Sequence, residues 1–556
     1  MGIRHSRILP VNPPAARSRR RLTNIHSNGQ IIMTLTGKLF IAGERRDSEN
    51  RFHAFDPSTD EAIPEPAFAI AGPRDIDDAC AAAEAAFAVY SSLPLETRAQ
   101  FLEAAADEID ALGEALTKQA HCETGLPEAR LNGERGRTVG QLRLFAQVVR
   151  DGAWQGIRID SADPVRTPPK PDLRLHKIPL GPVAVFGASN FPLAFSIAGG
   201  DTASALAAGC PVVAKGHPAH PGTSELVASA IMRAVERTGL PQGVFSLLNG
   251  TSHELGTALV SDHRIQAVGF TGSRMGGEAL MKVAASRKQP IPVYAEMSAI
   301  NPVILLPAAL ASRGDTLAQD YVGSVTMGAG QFCTNPGLIL AVRGEALDNF
   351  VAGVAEAIGQ AAPQVMLTQG IREQFGKGKA NLIDSDSVAL IGEGAPAAND
   401  CLARAAIFRA SAAEFVKNPL LGEENFGASS VIVECDDIDQ LHGLLAEIEG
   451  QLTGTLHMEE DDFPMARKLL PTLEQKVGRV IANAWPTGVE VSHAMVHGGP
   501  YPATSDPKST SVGTLAIERF LRPICYQDFP SELLPTQLIG AGQEGTIRMI
   551  DGIWTM

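Results

Sequence analysis

Between Gly181 and Thr271 the chain switches repeatedly between two kinds of segment. Gly-Pro-Val-Ala-Val-Phe-Gly (181–187), Pro-Val-Val-Ala-Lys (211–215), Val244–Leu248 and Val268–Thr271 are short apolar runs. The stretches near 196–208 and 223–238 carry apolar residues at helical spacing. Near-continuous apolar strands are buried on both faces, and strands separated by helices pair in parallel through crossovers. The pattern therefore predicts a parallel sheet covered by helices, an α/β fold. In such sheets a nucleotide binds beyond the carboxyl ends of the strands.

The flanks fit a chain of several parts. Helices are expected over 74–92, 96–121 and 128–149, and a strand over 172–178, where Asp-Leu-Arg-Leu-His-Lys-Ile partly alternates. With 556 residues the chain can hold more than one domain. It has no internal repeat. A net charge of −15 argues against general nucleic-acid binding. Residues 1–32 carry six arginines and no acid. They are expected to be a disordered leader, or sequence ahead of a start at Met33. A transit peptide is also Arg-rich and acid-poor, but Pro10, Pro13 and Pro14 interrupt any long amphipathic helix there. Seven cysteines form no CxxC pair, so they read as reduced thiols, and a cytoplasmic location is expected. No apolar run is long enough to span a membrane.

One of those cysteines stands out. Cys333 lies in Gly-Ala-Gly-Gln-Phe-Cys-Thr-Asn-Pro-Gly (328–337), where glycines let the backbone approach a ligand closely. A thiol held there is a candidate nucleophile. Phe270-Thr-Gly-Ser-Arg-Met-Gly-Gly277 follows an apolar strand and opens a helix, so Gly272, Ser273 and Gly277 are candidates for a pyrophosphate site. Gly540-Ala-Gly-Gln-Glu-Gly545 also fits GxGxxG, but only 11 residues follow it, too few for a βαβ unit. His493 and His497 are four apart, yet no Glu-x-x-His or Cys partner lies nearby in sequence, so no metal site is expected.

The pieces together resemble the aldehyde dehydrogenase superfamily. They are Gly187-Ala-Ser-Asn190-Phe-Pro192, Lys215 at a strand end, Phe270-Thr-Gly-Ser273, Glu296, Cys333, and Glu423-Glu424-Asn-Phe426-Gly427, in the family's order. The likeness covers about residues 36–530. Ala295-Glu-Met-Ser-Ala-Ile-Asn-Pro302, Trp485-Pro-Thr-Gly-Val-Glu-Val and His497-Gly-Gly-Pro-Tyr-Pro-Ala-Thr504 are similar to the branch of 2-oxoglutarate semialdehyde (2,5-dioxovalerate) dehydrogenases. That branch also holds NADP-dependent fatty aldehyde dehydrogenases.

The resemblance implies a mechanism and an architecture. Cys333 would attack the aldehyde carbon, Asn190 and the Cys333 N–H would hold the oxyanion, and Glu296 would activate the hydrolytic water. Lys215 would bind the adenosine ribose, Gly272 and Ser273 the pyrophosphate, with Gly277 on the helix behind. Glu424 would hold the nicotinamide ribose, with Phe426 beside it. Pro218 stands where NAD-preferring relatives often carry a carboxylate, so NADP is expected alongside NAD, with His217 or His220 assisting. Arg137 and Gln141, four apart on one helix face, are expected to line the substrate tunnel, with Arg137 on a substrate carboxylate. His497 is open between a role at the site and a structural one. The implied fold is a Rossmann-type cofactor domain over 33–295 with a hairpin near 157–180, and an α/β catalytic domain over 296–505. A small β oligomerisation arm and tail over 506–556 complete it, and a homodimer or homotetramer is expected. The expected reaction is NAD(P)-dependent oxidation of 2,5-dioxopentanoate to 2-oxoglutarate. Broad or long-chain aldehyde oxidation is the main alternative. A CoA-acylating enzyme would not need Glu296, and a non-catalytic relative would not need the three residues together.

Overall fold

A computed structural model describes residues 34–539 and 546–555. The expectations for residues 1–32 and for the glycines at 540–545 lie outside these. Contacts divide the chain into Met1–Leu35, of which only Thr34 and Leu35 are described, and a second compact unit, Thr36–Met556.

The alternation around 181–271 folds as the pattern predicts. The strands Val183–Phe186, Val212–Lys215, Phe245–Leu248, Ala267–Thr271 and Val293–Glu296 are parallel neighbours in a seven-stranded sheet. Leu39–Ile41 and Glu44–Arg46 extend it antiparallel. Chain order reverses between Val183–Phe186 and Ala267–Thr271, so the switch point of the sheet lies between these strands. Lys215 is in register with Phe186, and Thr271 with Glu296, which aligns the candidate residues along one carboxyl edge. The core beneath is apolar, with Ala184, Val213, Leu248 and Val268 fully buried.

A second seven-stranded sheet contains Pro302–Leu305, Leu338–Val342, Ser429–Cys435 and Gln451–His457 as its parallel centre, with Ala389–Glu393 antiparallel at one edge. Cys333 lies in the loop that enters Leu338–Val342, so it stands at the amino edge of this sheet, while Glu296 ends a strand of the first. In a third sheet Leu173–Pro179 pairs antiparallel with both Arg158–Asp160 and Leu521–Gln527, which is the expected hairpin and its late partner strand. Arg548–Ile550 and Ile553–Thr555 continue this sheet, which the sequence did not foretell.

Two helices differ from expectation. The stretch 96–121 is broken into Leu95–Asp110 and Gly113–Thr124, because Gly113 takes φ +55° between them. The helix expected from 196 starts later, as Gly200–Ala208, because turns occupy 192–198.

Candidate active site

The Glu128–Asp151 helix carries a polar stripe at helical spacing, with Glu134 and Gln141 buried and Arg130 and Arg137 half-buried. Its upper part builds the turn that carries Asn190. Glu134 Oε1 accepts from the N–H groups of Leu193 (2.8 Å) and Ala194 (3.0 Å), and Arg130 donates to the Asn190 carbonyl at 2.7 Å. Asn190 in turn donates its Nδ2 to the Gln331 carbonyl at 3.0 Å, two residues before Cys333. The Cys333 N–H has no hydrogen-bond partner among the described residues, so it remains free to donate.

The Cys333 loop owes its path to glycine. Gly328, Ala329 and Gly330 all have positive φ. A Cβ on Gly330 would lie 2.3 Å from the Ala428 nitrogen. Only a glycine lets this turn press against the segment that carries Glu424 and Phe426. Asn301, itself at φ +49°, donates to the Cys333 carbonyl (2.9 Å) and to the Asn335 carbonyl (3.0 Å), which clamps the far side of the loop.

Around the thiol the fold assembles a cluster from distant parts of the chain. His497 Nε2 lies 3.3 Å from Cys333 Sγ and 2.9 Å from Glu296 Oε1. The Ser511 hydroxyl donates to Glu296 Oε2 at 2.6 Å. Glu296 is 3% and His497 0% exposed, while Cys333 keeps partial access. Burial pushes the Glu296 carboxyl up, but the His497 ring and the Ser511 hydroxyl outweigh it, and the carboxyl ends below its ordinary range. Burial pushes the Cys333 thiol well above its ordinary value, and the charge of Glu296 pushes it further. The two shifts together describe a neutral thiol beside an ionised carboxylate. His497 thus stands between Cys333 and Glu296. Its cysteine and carboxylate partners come from 164 and 201 residues away, which is why sequence spacing did not supply them.

Of the residues expected around a dinucleotide, Lys215 and the Gly272–Gly277 segment lie at the carboxyl edge of the first sheet, and Glu424 and Phe426 stand in the loop that enters Ser429–Cys435 of the second. Lys215 is the last residue of its strand, its ammonium has no partner among the described residues, and burial draws it down to about 8. Ser273 caps the Arg274–Ser286 helix, accepting from the Gly276 N–H at 3.2 Å. Gly272 donates to the Glu296 carbonyl at 3.1 Å. A Cβ on Gly277 would sit 2.6 Å from Met297 Sδ, so the helix packs against the residue next to Glu296. Glu424 is half-buried and burial pushes it up to about 7; its charge also reaches Cys333. Phe426 is half-buried two residues on. A cation without a partner and a helix amino end at the carboxyl edge of a parallel sheet fit a dinucleotide.

One expected contact is overturned. His220 is 0% exposed, and its Nε2 pairs with the Ala188 carbonyl at 2.9 Å, so it faces the interior and has no reach to a phosphate. His217 stacks on it at 5.5 Å and stays half-buried.

Arg137 and Gln141 diverge. Arg137 Nη1 donates to the Val489 carbonyl at 2.7 Å, while its buried Nε and Nη2 have no partner. These two N–H groups point to the same side of a guanidinium and form its carboxylate-binding fork. Cys333 and Glu296 are among the charges Arg137 senses. Gln141 is 3% exposed and packs against the start of the Gly200–Ala208 helix, where a Cβ on Gly200 would lie 3.3 Å from its Oε1. Ser511 and Asn301 were not found from sequence; no local motif marks Ser511, whereas Asn301 stands inside the quoted 295–302 motif.

Residues 44–500 match the aldehyde dehydrogenase family, and the chain belongs to it. It is 57% identical over 522 residues to an alpha-ketoglutaric semialdehyde dehydrogenase 2 of Azospirillum brasilense, covering 94% of this chain and 99% of that one. It is 47% identical over 521 residues to an alpha-ketoglutaric semialdehyde dehydrogenase of Acinetobacter baylyi, covering 93% and 99%. In fold it is similar to a betaine aldehyde dehydrogenase of Staphylococcus aureus solved with NAD+, with a TM-score of 0.76 at 21% identity, covering 89% and 96%.

Proposed function

We propose that this enzyme oxidises 2-oxoglutarate semialdehyde (2,5-dioxopentanoate) to 2-oxoglutarate with NAD or NADP. The observation that carries the chemistry is the Cys333–His497–Glu296 cluster, with a free Cys333 N–H and the Asn190 carboxamide tethered beside it. The Cys333 proton passes to Glu296 or His497 as sulfur attacks the aldehyde carbon, giving a thiohemiacetal whose oxyanion faces the Cys333 N–H and Asn190. Nicotinamide, when bound, supplies the hydride acceptor that converts this adduct to a thioester. Glu296, held ionised by His497 and Ser511, takes a proton from the water that hydrolyses it. Lys215, Ser273 and Glu424 would hold the dinucleotide. The lack of a carboxylate at Pro218 supports use of NADP, with Lys215 and His217 left as the nearby basic groups.

The identities to two alpha-ketoglutaric semialdehyde dehydrogenases support the substrate, and the unpartnered fork of Arg137 supplies a cation for its carboxylate. The third sheet, with Leu521–Gln527 at one edge, supports assembly into a homodimer or homotetramer, and the free thiols support a reducing, cytoplasmic setting. Among the described residues no helix is long and apolar enough to cross a membrane. Product analysis with 2-oxoglutarate semialdehyde, NADP and added CoA tests the hydrolytic reading. Free 2-oxoglutarate is expected whether or not CoA is present; an acyl-CoA product would overturn it.

A further inference from the structure

The three groups at the nucleophile also form a set of metal ligands. One donor atom each from Cys333, His497 and Glu296 lie within 4.8 Å of one another. The separations along the cluster are 3.3 Å for Sγ to Nε2 and 2.9 Å for Nε2 to Oε1. A tetrahedral zinc ion with ordinary bond lengths needs about 3.5 Å between sulfur and nitrogen and about 3.3 Å between nitrogen and oxygen. Those two separations meet that geometry after movements of a few tenths of an ångström, and the third, from Cys333 Sγ to the Glu296 carboxylate, lies within 4.8 Å and closes toward about 3.6 Å on binding.

We infer that this trio is a binding site for a soft divalent cation, zinc above all, which reversibly blocks the enzyme. Charge favours it: one thiolate, one carboxylate and one neutral imidazole balance a dication inside a buried site. Ligand type favours it too, because a sulfur, a nitrogen and one oxygen suit zinc and do not suit magnesium or calcium. Partial exposure of Cys333 leaves a fourth position for water. Binding releases the thiol proton to solvent and occupies both the attacking sulfur and the resident base. His497 Nδ1 has no hydrogen-bond partner among the described residues, so the outer support typical of a resident zinc centre is missing. The site is thus an exchangeable one, weaker by about 10- to 100-fold than a fully supported centre. The blocking consequence rests on the proposed role of Cys333; the binding itself rests on the cluster alone.

The test uses the full chain, freed of metal, titrated with Co2+ and then Zn2+, with binding read from the cobalt spectrum and by competition with a zinc-sensing dye. Expected are a thiolate-to-cobalt charge-transfer band, its loss in Cys333→Ser, and zinc affinity lower by at least about 10-fold in both His497→Gln and Glu296→Gln. Zinc inhibition should be competitive with aldehyde and reversed by EDTA. Unchanged zinc affinity in the two variants, or a cobalt spectrum without the thiolate band, would overturn the inference, since capture by a single thiol would explain it. Turnover without metal is measured separately. An active enzyme that binds no zinc refutes this inference alone, while a zinc-binding protein that turns over no aldehyde refutes the dehydrogenase reading alone.

Discussion

Cys333 and Glu296 sit in opposite states: the thiol is held protonated by burial and by its neighbour's charge, and the carboxyl is held ionised by His497 and Ser511. Iodoacetamide alkylation of Cys333 should therefore rise with pH without levelling off between about pH 7 and 9, the range where a perturbed, reactive thiolate would already be saturated. A plateau at neutral pH would contradict the neutral resting thiol. Glu424 gives a second pH signature. Its carboxyl is raised to about 7, so below that pH it is neutral and offers one acceptor fewer to ribose hydroxyls. The KM for the cofactor should fall as pH rises through about 7, and Glu424→Gln should flatten that slope. Cys333, Glu296 and Asn190 were legible in sequence because each stands in a motif. Ser511 was not, because its role exists only where the 503–511 segment folds back beside Glu296.

At the scale of elements, the alternating strands were read correctly because continuous apolar runs have few other fates than a buried parallel sheet. The break near 111–112 escaped because apolar spacing persists across it, and only the backbone at Gly113 interrupts the helix. The 128–151 helix supports the site from behind as well, since Glu134 and Arg130 fasten the Asn190 turn. The turn at Gly330 is the tightest of these fits. Gly330→Ala should destabilise the protein by about 2 to 4 kcal/mol, through overpacking and positive φ together, visible as a lowered Tm. An unchanged Tm would mean that the Cys333 loop and the Glu424 segment are not in contact.

On the scale of the whole molecule, the site exists because two sheets meet edge to edge, one ending in Glu296 and the other entered through Cys333. The buried pair of Arg519 and Asp201, 2.7 Å apart, joins the first sheet's helix layer to the chain entering the third sheet. Arg519→Met leaves a buried carboxylate without its partner and should cost about 3 to 5 kcal/mol. The proposed substrate contact belongs to this scale as well, because Arg137 stands on a helix that neither sheet contains. Arg137→Met should lower kcat/KM for 2-oxoglutarate semialdehyde by about 10- to 100-fold, the worth of a charge-assisted pair, and leave decanal nearly unaffected. Equal losses on both would remove Arg137 from the substrate site.

The central claim is tested most directly by kcat/KM for 2-oxoglutarate semialdehyde, succinic semialdehyde, glutaraldehyde and decanal, each with NAD and with NADP. The five-carbon oxo acid aldehyde should be used best, with the two cofactors within about 100-fold of each other, or roughly 2.7 kcal/mol. A preference for decanal over 2-oxoglutarate semialdehyde would contradict the account.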